Sequence, residues 1–474
     1  MKELRVPAMG LLARCVLPLM AAGLVLVLPP PAAVAANGHI LLAIFVGLIV
    51  GLMVAPLPMG AVALIALAVA LLSGTLSPET AFGAFGAPVL WLIVSALVMA
   101  RALADTGLSR RLAFRCIEAF GTSPIRLAYA LAFVDLVLAP FIPSDTARAG
   151  GIVFPIARSL AEANDSHPGP TAARLGRFLM QSCYQVGVTT AAMFVTSMSA
   201  NPLIVELAAQ GSGVEITWLD WALASSLPGL TALSILPFLI FRLDPPTLTA
   251  TPEAPQWARA QRAAMGPITL REKWQIVILV LMVLGWMTQP LHGLHAAVIA
   301  ISGVALALIT GVIKWDRVLG EQGGWDALVW FGIVLMLAKA LNEAGVTTAL
   351  TAPLVSSFAF GSWMLGLGVL VAAYVAVHYL YASMTAQIVT LYPVFLAVAI
   401  ATGAPPLVAA LALAFFSNLN ASITHYGSGS GPVLFEGKYV SQLRWWRTGF
   451  VVAVVQLAIW LGIGIFWWRI TGFY

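Results

Sequence analysis

Ten stretches of this chain are almost free of charge: residues 40–54, 61–72, 88–100, 223–241, 275–287, 296–313, 364–382, 386–401, 406–416 and 448–468. A soluble domain carries about 25% charged residues, whereas Asp, Glu, Lys and Arg here make up 9% of the chain and apolar residues 61%. A surface that apolar cannot be hidden from water in a single soluble domain. A spanning helix needs roughly 20 mostly apolar residues, so the longer runs read as full spans and the shorter ones as parts of interrupted or re-entrant segments. The expected fold is an all-α polytopic membrane protein. It has about 11 transmembrane helices plus two re-entrant helical hairpins, in two inverted repeats.

The basic residues fall in groups. Lys2, Arg5 and Arg14 precede the first run, and Arg101, Arg110, Arg111, Arg115 and Arg126 follow the third. Further groups are Arg158, Arg174 and Arg177; then Arg242, Arg259, Arg262, Arg271 and Lys273; then Lys314 and Arg317; then Lys438, Arg444 and Arg447. Between them lie loops without any basic residue, at 73–80, 201–220, 288–296 and 402–406. Basic loops face the cytoplasm, which places the N-terminus inside and the C-terminus outside, in a cytoplasmic (inner) membrane. Arg148, Lys339 and Arg469 depart from the alternation. The charges are topology signals with no tract suited to nucleic acid. Cys15, Cys116 and Cys183 lack metal-ligand spacing and carry no expected disulfide.

Residues 1–38 have a basic start, an apolar core and the small-residue stretch Ala32–Ala36. This resembles a secretory signal, but a first span interrupted at Pro29-Pro30-Pro31 is the preferred reading. Residues 39–241 form the first repeat, 242–273 a Pro-rich cytoplasmic linker, and 274–474 the second repeat. The repetition is visible at an offset of 238, where Arg101 matches Lys339, Leu103 matches Leu341, Asp105 matches Glu343 and Gly107 matches Gly345. Phe154-Pro155 matches Tyr392-Pro393 at that offset, and Ser144-Asp145-Thr146-Ala147 matches Ser383-Met384-Thr385-Ala386 one residue beyond it. Arg101 leads into a basic loop and Lys339 into the loop 340–362, which has no other basic residue. The copies should therefore be inverted around a midplane site.

Each repeat should contain one re-entrant hairpin, at 124–161 and 363–400. Arg126 and Arg158 put both ends of the first on one side. Its turn contains Pro140 and Pro143, which interrupt helix, followed by Ser144 and Asp145, which favour the cap of the next helix. The second hairpin should have Ser383 at its tip. Two helix N-termini meeting inside the bilayer would present unpaired N–H groups and partial positive charge to one cavity, a setting for carboxylates. Residues 417–432, SNLNASITHYGSGSGP, are too rich in Gly and Ser for a continuous helix and read as a broken one, contributing Thr424, His425, Tyr426 and Ser428. Its counterpart is 184–202, with Ser197, Ser199 and Asn201. The alternative for both is close helix packing by small residues.

The stretches PSDTARAGGIVFPI, HYLYASMTAQIVTLYPVFLAVAIATGAPP, THYGSGSGPV and WDALVWFG resemble the divalent anion:sodium symporter (DASS) family. The similarity is greatest to its branch of 2-oxoglutarate/malate translocators and citrate or tartrate/succinate antiporters. The resemblance implies a homodimer that carries carboxylates by an elevator motion of the hairpin-bearing domain. It implies substrate contacts from Ser144, Asp145 and Thr146 at one tip and from Ser383, Met384 and Thr385 at the other. Thr424, His425 and Ser428 are added from the broken helix, with Arg148, Ser197 and Asn201 as outer candidates. The family's tips carry Ser-Asn-Thr-type motifs that in symporters also bind sodium; this chain has Asp145 and Met384 instead. A thioether neither donates to a carboxylate nor suits sodium, so exchange is expected over sodium symport, with sodium confined to the surroundings of Ser144 and Asp145. No other cofactor is expected.

Asp145 poses an electrostatic problem, because two like charges ~4 Å apart at an effective dielectric near 20 repel by about 4 kcal/mol. Pairing with Arg148, three residues on, is the simplest relief. A proton- or cation-coupled site and an altered substrate are the others. Asp135, inside an apolar arm, is either functional or an anchor, and His378 reads as structural. Trp445, Trp446, Trp467 and Trp468 fit interfacial anchors. An enzyme would need a nucleophile or a ligand cluster, and the sequence offers none at ligand spacing; ATP drive would need a phosphate-binding loop, also missing. A channel is the remaining rival. The expected function is a secondary carrier exchanging di- or tricarboxylates such as 2-oxoglutarate, malate, succinate, citrate or tartrate, with a sodium- or proton-coupled symporter as the alternative.

Overall fold

The structure is a computed structural model, and it describes residues 10–31, 34–357, 361–381 and 383–474. Lys2 and Arg5 of the basic start, Ala32-Ala33 of the small-residue stretch and residues 358–360 of the 340–362 loop lie outside the described residues. The described chain is all helical, with no strand. Among the described residues seven helices are long and apolar enough to cross a membrane, including Ala36–Val54, Pro88–Thr106, Trp218–Leu243, Gln322–Glu343 and Gln442–Ile470. Shorter apolar helices include Met59–Leu72, Ala296–Ile309 and Trp363–His378.

Ion pairs tie several of the basic loops together. Arg111 reaches Glu272 at 2.6 Å, Arg177 and Arg444 both reach Asp244 at 2.6 and 2.9 Å, and Arg317 reaches Asp105 at 2.6 Å. These contacts join nearly all the basic loops into one layer. Glu79, Glu206, Lys339 and Glu343, from the loops expected on the opposite face, line a common cavity.

The 242–273 linker is built into that layer. Its helix Glu253–Ala264 lies against the amphipathic helix Leu108–Phe120, with Trp257 edge-on to Phe114. Arg262 and Arg259 hydrogen-bond Glu118 and hold its carboxyl below the ordinary range. Thr247 N–H donates to Ala173 O, and Thr251 N–H to Thr122 O. Thr251 Oγ1 also donates to Gly121 O at 2.8 Å in a buried setting. Thr251→Val leaves that carbonyl unpaired and should cost about 1–3 kcal/mol, seen as a lower melting temperature of the purified protein.

Both proposed hairpins begin their second arm in the same way. The first runs Pro124–Leu138, then a 3-10 turn Ala139–Phe141, and restarts at Ser144. Ser144 is extended (φ −152°, ψ 111°) and its Oγ accepts from Ala147 N. Ser383 is likewise extended (φ −138°, ψ 122°) and its Oγ accepts from Ala386 N. A serine hydroxyl thus closes one open donor at each tip. Ala149–Val153 widens to a π-turn ahead of Phe154-Pro155. Pro155 has no N–H to offer and its ring crowds the preceding turn, so local widening relieves both.

Two helices break where expected. Gly176–Met193 ends at Phe194, a 3-10 turn occupies Val195–Ser197, and Ala200–Ser212 resumes. Pro406–Leu419 passes into the 3-10 turn Asn420–Ser422, an irregular stretch, and then Ser430–Phe435. Trp445 and Trp468 are not interfacial anchors as expected. Both are fully buried, and Trp468 Nε1 donates to Ala224 O while its ring packs on Phe415. An indole that finds a carbonyl partner loses its reason to sit at the water boundary.

Candidate functional site

The broken segment 417–432 lies between the two hairpins and bonds to both. On the first side, Ser430 Oγ donates to Asp145 Oδ2 at 2.9 Å and pairs with Ser428 Oγ at 2.8 Å. Gly429 faces Thr146 so closely that any Cβ would run into Thr146 Oγ1. On the second side, His378 Nε2 donates to Gly427 O at 2.9 Å, and its Nδ1 lies 2.6 Å from Gln387 Oε1. Asn420 Nδ2 also donates to Gln387 Oε1, and Tyr379 OH donates to Asn420 O. Glycines leave the backbone bare, which allows this approach.

Asp145 is the first residue of its helix and 7% exposed. Its Oδ1 accepts from Thr146 N at 2.8 Å and Thr146 Oγ1 at 3.3 Å. With Ser430 on the other oxygen, the carboxylate takes three donors beside a helix N-terminus.

The expected pairing of Asp145 with Arg148 does not form. Arg148 turns to Asp135 on the opposite arm, Nε to Oδ1 at 3.1 Å, and no ion pair to Asp145 occurs among the described residues. Arg148 Nη1 donates to Ile142 O at 2.7 Å and to Ser197 O at 2.6 Å, while Thr190 Oγ1 donates to Asp135 Oδ2. Arg148 is 1% exposed. Five-donor geometry explains the choice: one planar guanidinium can serve a carboxylate and two carbonyls of the interrupted turn together. Arg148 is thereby an internal clamp of the tip, and Asp135 its anchor.

Ser197 and Asn201 are also bracing groups. Ser197 Oγ donates to Ala191 O at 2.5 Å, Asn201 Nδ2 donates to Ala191 O and Phe194 O at 2.9 Å, and Asn418 Nδ2 donates to Asn201 Oδ1 at 2.9 Å. They close open carbonyls at the helix break and tie one broken helix to the other. His425 does not join the tips. Its ring stacks on Phe435 at 4.3 Å between centroids, and its Nδ1 accepts from Trp446. Thr424 is buried with an unpartnered hydroxyl. Met384 is buried and Thr385 half-buried in the first turn of their helix.

The sequence reading did not single out Tyr184, Gln185, Gln387 and Asn420. Tyr184 OH donates to Ala421 O at 2.7 Å and Gln185 Nε2 to Ser422 O at 2.8 Å, pinning the irregular stretch. Their signal was a polar side chain within an apolar run.

Asp145, Ser144 and Ser428 bring hard oxygens to the first tip and its facing segment; Asn420 Oδ1 and Thr424 Oγ1 of the broken segment are buried without a partner. At the other tip Met384 supplies sulfur. Among the described residues no cluster of three His, Cys, Asp or Glu side chains exists to hold a metal.

Residues 10–474 match the family described as the sodium:sulfate symporter transmembrane region. The chain belongs to this family. It is a polytopic membrane transporter and not an enzyme. It is 42% identical over 448 residues to Dicarboxylate transporter 1, chloroplastic, of Spinacia oleracea, covering 94% of this chain and 79% of that protein. The protein of the same name from Arabidopsis thaliana is 42% identical over 472 residues, 98% of this chain and 85% of its own length. Inner membrane protein YbhI of Escherichia coli (strain K12) is 34% identical, with 93% of this chain and 94% of that protein covered. Among solved structures, the YdaH transporter of Alcanivorax borkumensis shares the fold with a TM-score of 0.54, at 16% identity over 83% of this chain and 88% of that one.

Proposed function

We propose that this transporter exchanges dicarboxylates or tricarboxylates across an inner membrane through a single site bounded by the Ser144–Thr146 and Ser383–Thr385 tips. The observation that carries the reading is the pair of serine-capped helix N-termini on either side of one glycine-rich segment. The Ser383 tip offers first-turn N–H groups and hydroxyls to one carboxylate, and the Ser144 tip, whose Thr146 and Ala147 N–H groups are already taken by Asp145 and Ser144, offers its serine hydroxyl and the Asp145 N–H to a second. The relatives named as dicarboxylate transporters support that substrate class.

In this reading the two hairpins are re-entrant, the halves are inverted repeats, and the hairpins move with the broken helices. The Arg148–Asp135 clamp and the Asn201–Asn418 bridge keep that body rigid while it slides past the long spans, an elevator cycle within a homodimer. Thr424 and Ser428 line the site, and His425 sits outside it. Met384 denies the second tip a sodium ligand, which favours exchange: an empty carrier returns poorly and a loaded one readily.

Cation coupling is the second reading, and the absence of an ion pair at Asp145 among the described residues favours it. A bound sodium would supply positive charge beside the substrate, held by Asp145, Ser144 and Ser428. Counterflow of labelled malate in liposomes separates the two. Exchange predicts uptake that needs an internal dicarboxylate and ignores sodium. Asp145→Asn removes the negative charge but keeps an acceptor, so it should flatten any pH or sodium dependence and shift the apparent KM several-fold. Identical kinetics of parent and variant from pH 5 to 8, with and without sodium, would remove Asp145 from the site.

A further inference from the structure

A cavity of about 310 Å³ opens where Trp218–Leu243 ends and Gln442–Leu457 begins, lined by Leu243, Asp244, Ser441, Arg444, Arg447 and Thr448 among others. We propose that it binds the phosphodiester headgroup of an anionic bilayer lipid.

The cavity is cationic. Asp244 is already shared by Arg177 and Arg444 and accepts from Gln181 at 2.8 Å. Arg447 adds a third cation and has neither ion pair nor hydrogen bond among the described residues. Thr448 is 5% exposed, borders the same cavity, and its hydroxyl has no partner among the described residues. The residue is held in place by burial while its hydroxyl borders the cavity, and a phosphate oxygen accepts from it and from the guanidinium together. Ser441 precedes the helix without capping it, so the first-turn N–H groups of Gln442, Leu443 and Arg444 are open in the same direction.

The surroundings select a lipid over a soluble phosphate. Leu443, Phe450 and Val454 are exposed and follow Arg447's face at helical spacing, four before it and three and seven after it. An acyl chain laid along Phe450 and Val454 brings its phosphate to Arg447. The basic side chains lie in the layer formed by the basic loops, where anionic headgroups collect.

The test uses the full-length chain purified in detergent, titrated with phosphatidylglycerol and read by native mass spectrometry. Arg447→Ala should weaken binding on the order of fivefold, the effect of one basic residue near a lipid surface, and Thr448→Val should weaken it as well. Arg110→Ala, an exposed basic residue elsewhere in the layer, should bind as the parent does. Millimolar inorganic phosphate should displace nothing. Equal binding by Arg447→Ala and parent, an equal loss in Arg110→Ala, or displacement by inorganic phosphate would each overturn the proposal, the last by making this a site for free anions.

Discussion

Arg148→Ala should lower the stability of the protein by about 3–5 kcal/mol, the usual cost of leaving a buried charge without its partner. Asp135 would keep only Thr190, the Ser197 carbonyl would lose its Arg148 donor, and the Ile142 carbonyl would keep only the Ser144 N–H. The tip is therefore expected to loosen from the broken helix at Val195–Ser197. The measurement is thermal unfolding of the detergent-purified variant, with yield of monodisperse protein as a second reading. Replacing both partners by apolar residues, Arg148→Met with Asp135→Leu, should recover part of the loss because no charge stays buried. If Arg148→Ala melts with the parent, the clamp contributes nothing. If the double variant is worse than the single, carbonyl closure outweighs charge pairing.

Gly431→Ala should act on transport more than on folding. A Cβ there would press on the His425 carbonyl oxygen and sit 2.9 Å from its carbon, and backbone cannot swing aside as a side chain can. The strain of overpacking, typically ~1–3 kcal/mol, falls on the turn that carries Gly427 to His378 and Ser430 to Asp145. Exchange in liposomes should fall at least about tenfold, with a smaller change in melting temperature. Gly429→Ala meets only the Thr146 side chain, which can turn about χ1 at the loss of its hydroxyl bond to Asp145, and should be milder. Equal activity in Gly431→Ala and parent would show that the turn does not shape the site.

Much of this molecule was legible in its sequence because the bilayer leaves few options. Apolar runs, basic loops and helix breaks within 184–202 and 417–432 were readable, since each follows from local composition or from Pro, Gly and Ser at known positions. Ser144 as a cap was readable for the same reason, and Ser383 was readable as a tip residue. Partner choice was not. Arg148 stands three residues from Asp145 and thirteen from Asp135, and sequence spacing favours the nearer acid. The fold brings Asp135, Ile142 and Ser197 around one guanidinium and lets Ser430 serve Asp145. Likewise Trp445 and Trp468 read as boundary residues until a carbonyl and a packed core claimed Trp468 and burial claimed Trp445.

The sequence by itself determined the class of molecule, its apolar spans and the two helix breaks, all consequences of near-neighbour chemistry in an apolar solvent. Tertiary structure alone decided which groups satisfy each buried charge. Inside the membrane every polar group must find a protein partner, and the best one is chosen by geometry across the fold, not by distance along the chain.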